Sequence, residues 1–240
     1  MSGHNKWSKV KNVKGKEDAK KAKIFTKMSR YIMVAVRSGG ADPEYNASLK
    51  MAIERAKAEN MPNENIKRAI KKGIGGADGQ NFENIVYEGY GPGGVAVVVE
   101  CLTDNKNRTA SDVRYAFDRY GGNLGTPGSV TFQFDYKGIL VTGKEDKDAD
   151  QVLVDALDAG AEDVQENEDI YIITTAPSDY EKVHDLMKEQ GYEFSTAQVG
   201  YLPKNTVKLE TEDQRQNVED LIDTLEDYDD VQEVYSNWED

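Results

Sequence analysis

The order of strand and helix patterns in residues 138–201 constrains the fold more than any other feature of the sequence. Short runs rich in β-branched residues alternate there with amphipathic stretches, in the order β-α-β-β-α-β. A ferredoxin-like sandwich has this order, with its helices packed on one face of the sheet. We therefore predict a sandwich of this kind within residues 137–203.

A β-α-β pattern also lies on each side of this block. The first leads from the strand VAVVVECL through a helix to VTFQF (residues 130–134). The second leads from VKLE (residues 207–210) through a helix to VQEVY (residues 231–235). We predict that the two units pair into a second ferredoxin-like sandwich, which the inserted block divides. The glycine-rich YEGYGPGG (residues 87–94) is interpreted as a turn that precedes the first strand.

Three amphipathic helices are expected before the sandwiches. Apolar residues recur at helical spacing from Phe25 to Val36, and two more helices are predicted to begin at the N-caps Asn46 and Asn63. Glycines near position 75 then indicate a flexible linker. The predicted fold class is α+β with three domains, bounded as follows: a helical domain with a basic arm (1–79), a split ferredoxin-like domain (80–136 plus 204–240) and an inserted, acidic ferredoxin-like domain (137–203).

Charge is distributed unevenly along the chain, whose formal net charge is −14. Residues 1–72 carry 18 lysines and arginines against 7 acids, a net charge of +11. The other 168 residues carry 12 against 37, a net charge of −25. Solvated lysines on a surface helix are one explanation of the basic segment. A polyanion partner, most plausibly nucleic acid, is the explanation that we favour.

The candidate nucleic-acid contacts form three groups. Trp7 lies between lysines of the basic arm and offers a ring for stacking on a base. The third group lies in a loop before a helix that we expect Thr109 or Ser111 to cap. Free amides at the start of that helix could donate hydrogen bonds to a phosphate; a plain capped loop is the alternative. The three groups are Lys6, Trp7, Lys9, Lys11, Lys14, Lys16, Lys20, Lys23, Lys27 and Arg30; Lys67, Arg68, Lys71 and Lys72; and Lys106, Arg108 and Arg114.

The sequence shows no catalytic or metal-binding pattern, so we expect neither an enzyme nor a cofactor. His4 and His184 have no paired or HExxH-type spacing, and Cys101 lies within an apolar run. The glycines of YGPGG lack the spacing of a P-loop or dinucleotide fingerprint. With one cysteine, no secretory leader and no apolar run near the roughly 20 residues of a membrane span, we expect a cytoplasmic protein without a membrane partner.

Three long blocks of the sequence resemble the YebC/PmpR family, which includes the mitochondrial translational activator of cytochrome c oxidase. They are GHNKWSKVKNVKGKEDAKKAKIFTK (residues 3–27), NMPNENIKRAIKKG (60–73) and YEGYGPGGVAVVVECLTDNKNRTASDVRYAFDRYGGNLG (87–125). The resemblance covers essentially the whole chain and places the family's GHxKW block on Gly3, His4, Lys6 and Trp7. It implies three domains in an open crescent and no catalytic site.

The resemblance implies two competing roles. Some members are described as DNA-binding transcriptional regulators, and others act in translation, where they associate with the ribosome and ease stalls at sequences such as proline runs. The main hypothesis is therefore a probable transcriptional regulator that binds DNA. The alternative is a translation factor that binds ribosomal RNA, which Trp7 and the scarcity of groove-reading arginines favour slightly. A weaker third hypothesis is a scaffold whose acidic domains bind a basic protein partner.

Overall fold

The N-terminal region folds as three helices around a common apolar core. The structure is a computed structural model that describes residues 17–75, 82–144, 147–167 and 169–239, with side chains described from residue 21 onward. Helices α1 (Glu17–Gly39), α2 (Ala47–Ala58) and α3 (Asn63–Gly75) bury the stripes that their spacing predicts. The buried core consists of Met28, Ile32, Ala35, Val36, Leu49, Ala52, Ala56, Met61, Ile66 and Ala69.

Asn46 fixes the start of α2, as predicted. Its side-chain oxygen accepts a hydrogen bond from the Leu49 amide at 3.1 Å, and its amide group donates to the carbonyl oxygens of Ala35 and Gly40. The first bond satisfies a helix amide that lacks an intrahelical partner. The other two connect the cap to the end of α1. One buried side chain therefore sets the angle between the first two helices.

The remaining elements form two antiparallel sheets, each covered by two helices. The first sheet has the strand order β3-β1-β2-β9 and the second has the order β5-β6-β4-β7, while β8 and β10 form a short parallel pair. In chain order the elements are β1 (Glu83–Tyr90), β2 (Ala96–Thr103), α4 (Lys106–Arg119), β3 (Asn123–Leu124), β4 (Phe134–Gly143), α5 (Ala149–Ala159), β5 (Asp163–Glu166), β6 (Ile170–Thr175), α6 (Tyr180–Glu189), β7 (Thr196–Pro203), β8 (Val207–Lys208), α7 (Glu212–Asp227), β9 (Val231–Ser236) and β10 (Trp238–Glu239).

The second sheet matches its predicted pattern element by element. Its helices α5 and α6 pack on the face that carries Leu140, Tyr171 and Ile173, where they bury Val152, Val183 and other apolar residues. The sheet order follows from the antiparallel pairing of β4 with both β6 and β7. The predicted β-α-β-β-α-β block is present, and the mixed class of a helical region followed by two antiparallel sheets is confirmed.

The first sheet contains two of its four predicted strands, β2 and β9, but not the other two. Residues 83–90, partly interpreted as a turn, form the central strand β1, which pairs with β2 along its whole length. Residues 131–133 of the predicted VTFQF strand form a 3-10 turn, and Phe134 already begins β4 of the other sheet. The predicted VKLE strand is reduced to Val207–Lys208, which pairs with β10 outside the sheet.

The close approach of β1 to its neighbours explains why this strand resembles a turn in sequence. A Cβ atom at Gly89 would lie 2.6 Å from the carbonyl oxygen of Asn123 and 2.7 Å from the Phe117 ring. A glycine is therefore required at this point by packing rather than by a turn. The true turn follows at Pro92–Gly94, where Gly93 and Gly94 have positive φ angles.

Ion pairs connect the helical region with both sheets. From α2, Arg55 binds Glu233 of β9 and Lys50 binds Asp185 of α6, with 2.8 Å between Nζ and Oδ2 of the latter pair. Met51, on the same helix, packs against the core of the second sheet. The helical region and the helix-covered face of each sheet have a buried apolar cluster of their own, and two smaller clusters lie on the other faces of the sheets. The division into three domains with the bounds given above stays a prediction. No helix in the described ranges has the length and hydrophobicity to cross a bilayer.

Candidate nucleic-acid interface

The outward face of α3 carries four exposed cations. Lys67, Arg68, Lys71 and Lys72 point away from the core because Ile66, Ala69 and Gly73 occupy the inward positions of the same helix. A Cβ atom at Gly73 would lie 2.8 Å from Cβ of Val36. The glycine thus lets α3 pack directly on α1, which fixes the direction in which the cationic face points.

Three of these four cations have no partner among the residues that the structure describes. Lys67 lies 3.2 Å from Glu64 one turn earlier, whereas Arg68, Lys71 and Lys72 form no hydrogen bond or ion pair with any residue of the described ranges. Within the described ranges, no carboxylate balances their charges. Such a surface favours the phosphates of a nucleic acid, since binding releases condensed counterions.

Three of the predicted contacts on α1 lie against the C-terminal end of α7 and not on the α3 face. Nζ of Lys23 is 2.9 Å from Oδ1 of Asp227, and Nζ of Lys27 donates to the Glu226 carbonyl oxygen at 2.7 Å. Burial lowers the pKa of Lys27, although the surrounding carboxylates oppose that shift. Arg30 lies deeper, with 15% of its side chain exposed. In the described structure these three cations therefore face protein.

Two attractions explain why α7 receives these cations. The last carbonyl groups of a helix carry partial negative charge, and the sequence adds four acids at this end, which are Glu226, Asp227, Asp229 and Asp230. Helical periodicity identifies the polar side of α1 but gives no information on which neighbour covers it. The sequence could therefore place these cations on one face without predicting their partner.

Asp230 is the centre of a buried polar cluster between the helical region and the first sheet. Its carboxylate accepts hydrogen bonds from Arg30 at 2.7 Å, from Arg108 at 2.7 Å and from Thr109 at 2.8 Å. Burial alone would raise the pKa of Asp230, but the hydrogen bonds from Arg108, Thr109 and Arg30 lower it overall. The cluster therefore holds an ionised carboxylate, of which 6% is exposed.

The third predicted group is divided by the structure. The helix begins at Lys106, since the Asn105 side chain accepts from the Arg108 amide at 3.1 Å; neither Thr109 nor Ser111 is its cap. Lys106 forms a 2.6 Å ion pair with Glu83, and Arg108 binds Asp104 as well as Asp230. Arg114 alone of this group is exposed without a partner in the described ranges.

Six of the predicted contacts lie outside the described residues, namely Lys6, Trp7, Lys9, Lys11, Lys14 and Lys16, and the side chain of Lys20 lies outside them too. Their role rests on the sequence alone. They precede α1 directly in the chain. The structure thus describes the α3 face as one cationic surface and leaves the arm a prediction.

The sequence did not predict one cluster on α4, which Tyr115, Arg119 and Tyr120 form. Tyr115 has 55% of its surface exposed, and its hydroxyl oxygen lies 3.0 Å from a guanidinium nitrogen of Arg119. The same guanidinium lies 5.5 Å from the ring centre of Tyr120. The available signal was the Tyr-Arg pair at i, i+4, which places both side chains on one helical face.

The described residues with nucleophilic potential have packing roles. Burial raises the pKa of the Cys101 thiol to about 12, which leaves it without a reactive thiolate near neutral pH. The His184 ring stacks on Tyr180 and lies 5.5 Å from Phe194, with Nδ1 3.0 Å from Asp185. Within the described ranges, no group of three or more His, Cys, Asp or Glu residues is arranged to hold a metal ion.

Comparison with known proteins gives matches along nearly the whole chain. Residues 5–76 match the family model described as the TACO1/YebC protein N-terminal domain, and residues 82–238 match that of the TACO1/YebC second and third domain. The chain belongs to the TACO1/YebC family. The junction between the two matches, at residues 77–81, lies where the predicted linker does.

Relatives of this TACO1/YebC protein carry a regulatory name. A probable transcriptional regulatory protein of Finegoldia magna is 59% identical over 239 residues, which cover 100% of this chain and 99% of the relative. One of Clostridioides difficile is 58% identical over 95% of this chain and 96% of its own. The crystal structure of a conserved hypothetical protein from Aquifex aeolicus has a TM-score of 0.87 at 45% identity, covering 98% of this chain and 97% of that one.

Proposed function

We propose that this TACO1/YebC protein is a non-catalytic regulator of gene expression that binds DNA through its basic arm and its helical region. The observation that carries the proposal is the exposed face of α3, where Arg68, Lys71 and Lys72 have no partner within the described ranges. The chain holds 37 acids in residues 73–240, so cations without acidic partners call for an external anion. The names of the relatives support a role in transcription.

The proposed binding mode is contact with the phosphate backbone. Lysine is the main cation of the arm and of α3, and a lysine ammonium acts as a point charge with little power to distinguish bases. Sequence-specific contacts in the major groove rely more on arginine, asparagine and glutamine. Binding should therefore be sequence-tolerant and should weaken steeply with salt. The acidic remainder would limit indiscriminate coating of DNA.

In this proposal the cations of α1 contribute less to nucleic-acid binding than the sequence predicted. Lys23, Lys27 and Arg30 neutralise the end of α7, and a nucleic acid would have to displace those contacts to reach them. The proposed binding surface is therefore the arm together with α3. α3 packs on α1, and the arm precedes α1 in the chain.

A ribosome-associated translation factor that binds ribosomal RNA is the second candidate. Exposed aromatic side chains favour it, since sequence tolerance combined with stacking is characteristic of binding to unpaired nucleotides. Tyr115 supplies such a ring in the described structure, and Trp7 supplies one in the arm sequence. The proposal of DNA binding has no comparable use for these rings.

Charge reversal tests the binding surface. Changing Lys9, Lys11, Lys14 and Lys16 to glutamate should abolish binding to duplex DNA and to RNA in filter-binding assays, with the fold unchanged by circular dichroism. Changing Arg68, Lys71 and Lys72 together to glutamate should weaken binding. It should also reduce the magnitude of the slope of log K against log salt by about 0.9 per lost phosphate contact on duplex DNA. Unchanged affinity in both variants would refute the proposed surface.

A matched control and a cellular experiment complete this test. Lys208→Glu reverses an exposed lysine within the acidic part of the chain, at an ion pair with Glu239, and should leave affinity unchanged. Crosslinking in cells, followed by sequencing of both DNA and RNA, separates the two candidates. Enrichment at promoters supports the transcriptional regulator, and enrichment in ribosomal RNA of the large subunit supports the translation factor.

A further inference from the structure

Positive charge is concentrated on α4 within a strongly acidic part of the chain. Residues 73–240 carry 12 lysines and arginines, and four of them lie in the 14 residues of α4. Lys106 and Arg108 are engaged by Glu83, Asp104 and Asp230. The other two, Arg114 and Arg119, are exposed.

Neither of these two guanidinium groups forms an ion pair with any residue in the described ranges. The acids Asp112 and Asp118 lie on the same helix, and Asp118 is one turn from Arg114, yet neither carboxylate is paired with them. Residues 73–240 hold about three acids for each lysine or arginine, so an arginine there without an acidic partner needs another explanation. The geometry around Arg119 shows that aromatic rings take the place of a carboxylate.

The aromatic rings hold Arg119 in a defined position. Its guanidinium lies 5.5 Å from the Tyr120 ring centre and 5.9 Å from that of Tyr115, within the range of cation–π contact. The hydroxyl of Tyr120 accepts a hydrogen bond from Thr224 of α7 at 3.0 Å, which anchors that ring. Tyr115 remains 55% exposed, so much of its ring surface is open to solvent.

We propose that the outer face of α4 is a binding site for single-stranded nucleic acid, in which Tyr115 stacks on an unpaired base and Arg114 and Arg119 contact the neighbouring phosphates. Exposed aromatic rings beside cations are the combination that sequence-tolerant single-strand binding requires. The inference rests on the proposed function. It adds a second contact, separate from the arm and α3, and it specifies unpaired nucleotides, in RNA or in melted DNA, as the ligand.

The test is fluorescence anisotropy with the full-length chain and four labelled probes. The probes are a 12-nucleotide oligo(U), the matching oligo(dT), and the corresponding RNA and DNA duplexes. Tyr115→Ala should weaken binding to the single strands about tenfold, the usual order of effect for the loss of one stacked base, and leave duplex binding unchanged. Tyr115→Phe keeps the ring and should bind like the wild type. A weaker effect on oligo(dT) than on oligo(U) would identify RNA as the source of the unpaired bases.

A matched substitution separates the site from general electrostatics. Arg119→Ala and Arg215→Ala each remove one exposed arginine from a helix on the same sheet, but Arg215 pairs with Glu212 and has no cation–π contact within the described ranges. Only Arg119→Ala should weaken single-strand binding. Equal effects of the two changes would overturn the proposed site.

Crosslinking locates the contact directly. An oligo(U) that carries 4-thiouridine, irradiated with the wild-type chain and digested with trypsin, should leave a nucleotide adduct on residues 115–119, which trypsin releases as YAFDR. Adducts confined to other peptides would overturn the inference. If Tyr115→Ala binds single strands as the wild type does while the arm variant loses binding, the α4 site fails and the proposed function stands. If the wild type binds none of the probes, both fail.

Discussion

Nη1 of Arg30 lies 2.7 Å from Oδ1 of Asp230, although the two residues are 200 positions apart in the sequence. The contact joins α1 of the helical region to the turn between α7 and β9. Arg108 and Thr109 of α4 bind the same carboxylate, so three parts of the chain meet at one acid. The Asp230 carboxylate therefore helps to hold the helical region against the first sheet, together with the contacts of Arg55, Lys23 and Lys27.

Asp230→Ala should destabilise the protein by about 3 kcal/mol, since removing one partner of a buried ion pair leaves the other charge uncompensated. The value is near the lower end of the usual range because 46% of the Arg108 side chain is exposed and retains water. Unfolding in urea measures the change. Asp229→Ala is the control, because Asp229 is exposed and gives Arg30 only its backbone carbonyl. A similar loss in both variants would contradict a specific role for Asp230.

Glu88 should make stability depend on pH in the acid range. Burial opposes ionisation of this carboxylate, but hydrogen bonds from the amides of Gly128, Thr131 and Val130 outweigh it and lower its pKa below the ordinary value for glutamate. A carboxyl group with a lowered pKa in the folded state stabilises the protein above its unfolded pKa. That contribution is lost as the pH falls through the folded value.

Urea unfolding at a series of pH values tests this prediction. Glu88→Gln should lower stability at pH 7 and flatten its decline below about pH 4.5, where the wild type loses the contribution of this group. The exposed Glu210→Gln serves as the control and should follow the wild-type curve. Parallel curves for Glu88→Gln and the wild type would show that Glu88 contributes nothing to the pH dependence.

Gly200→Ala should weaken the packing between the two sheets. A Cβ atom at this position of β7 would lie 2.5 Å from the hydroxyl oxygen of Tyr235 in β9, and 2.8 Å from its ring. Overpacking of this kind costs about 1–3 kcal/mol, which thermal unfolding should detect. Gly143→Ala offers the comparison, since Gly143 is also in a strand of the second sheet and has no atom within 4 Å of the added Cβ. Equal melting temperatures would refute the close contact.

Cys101 should be unreactive in the folded protein. Burial is the main cause that raises the pKa of its thiol to about 12, so the thiolate fraction near pH 8 is negligible. A thiol reagent such as Ellman's reagent should label the native chain slowly and release one equivalent at once in denaturant. The single cysteine makes this measurement unambiguous. Immediate labelling of the native chain would show that the strand opens.

The sequence predicted the second sheet better than the first because its order is carried by local signals. Each strand of residues 134–203 is followed by a helix or a tight turn, and hydrophobic periodicity identifies both. In the first sheet, β1 contains Gly89, whose presence depends on contacts with Phe117 and Asn123. Contacts between distant parts of the chain have no local signature.

The prediction of the binding site was limited because contacts between distant parts of the chain have no local sequence signal. The four cations of α3 were assigned correctly to an exposed face because periodicity alone determines that face. Arg30 and Arg108 looked equally available in sequence, and both are bound to Asp230. Tyr115 looked like any surface tyrosine, since its neighbour Arg119 has meaning only once their contact is known.

The pairing of Phe134 with Pro203, at the start of β4 and the end of β7, has an architectural consequence. The chain leaves the first sheet and returns to it through two adjacent strands, about 5 Å apart. The second sheet and its helices thus form the distal part of a long β-hairpin, whose two strands are β4 and β7. Removing this block and joining its ends with a short turn would keep the four strands of the first sheet in the chain, but it would also remove Phe134 and Tyr201, which pack against Ala96, Val98 and Tyr235 of that sheet. A domain inserted in place of this block would therefore have to supply equivalent contacts with the first sheet.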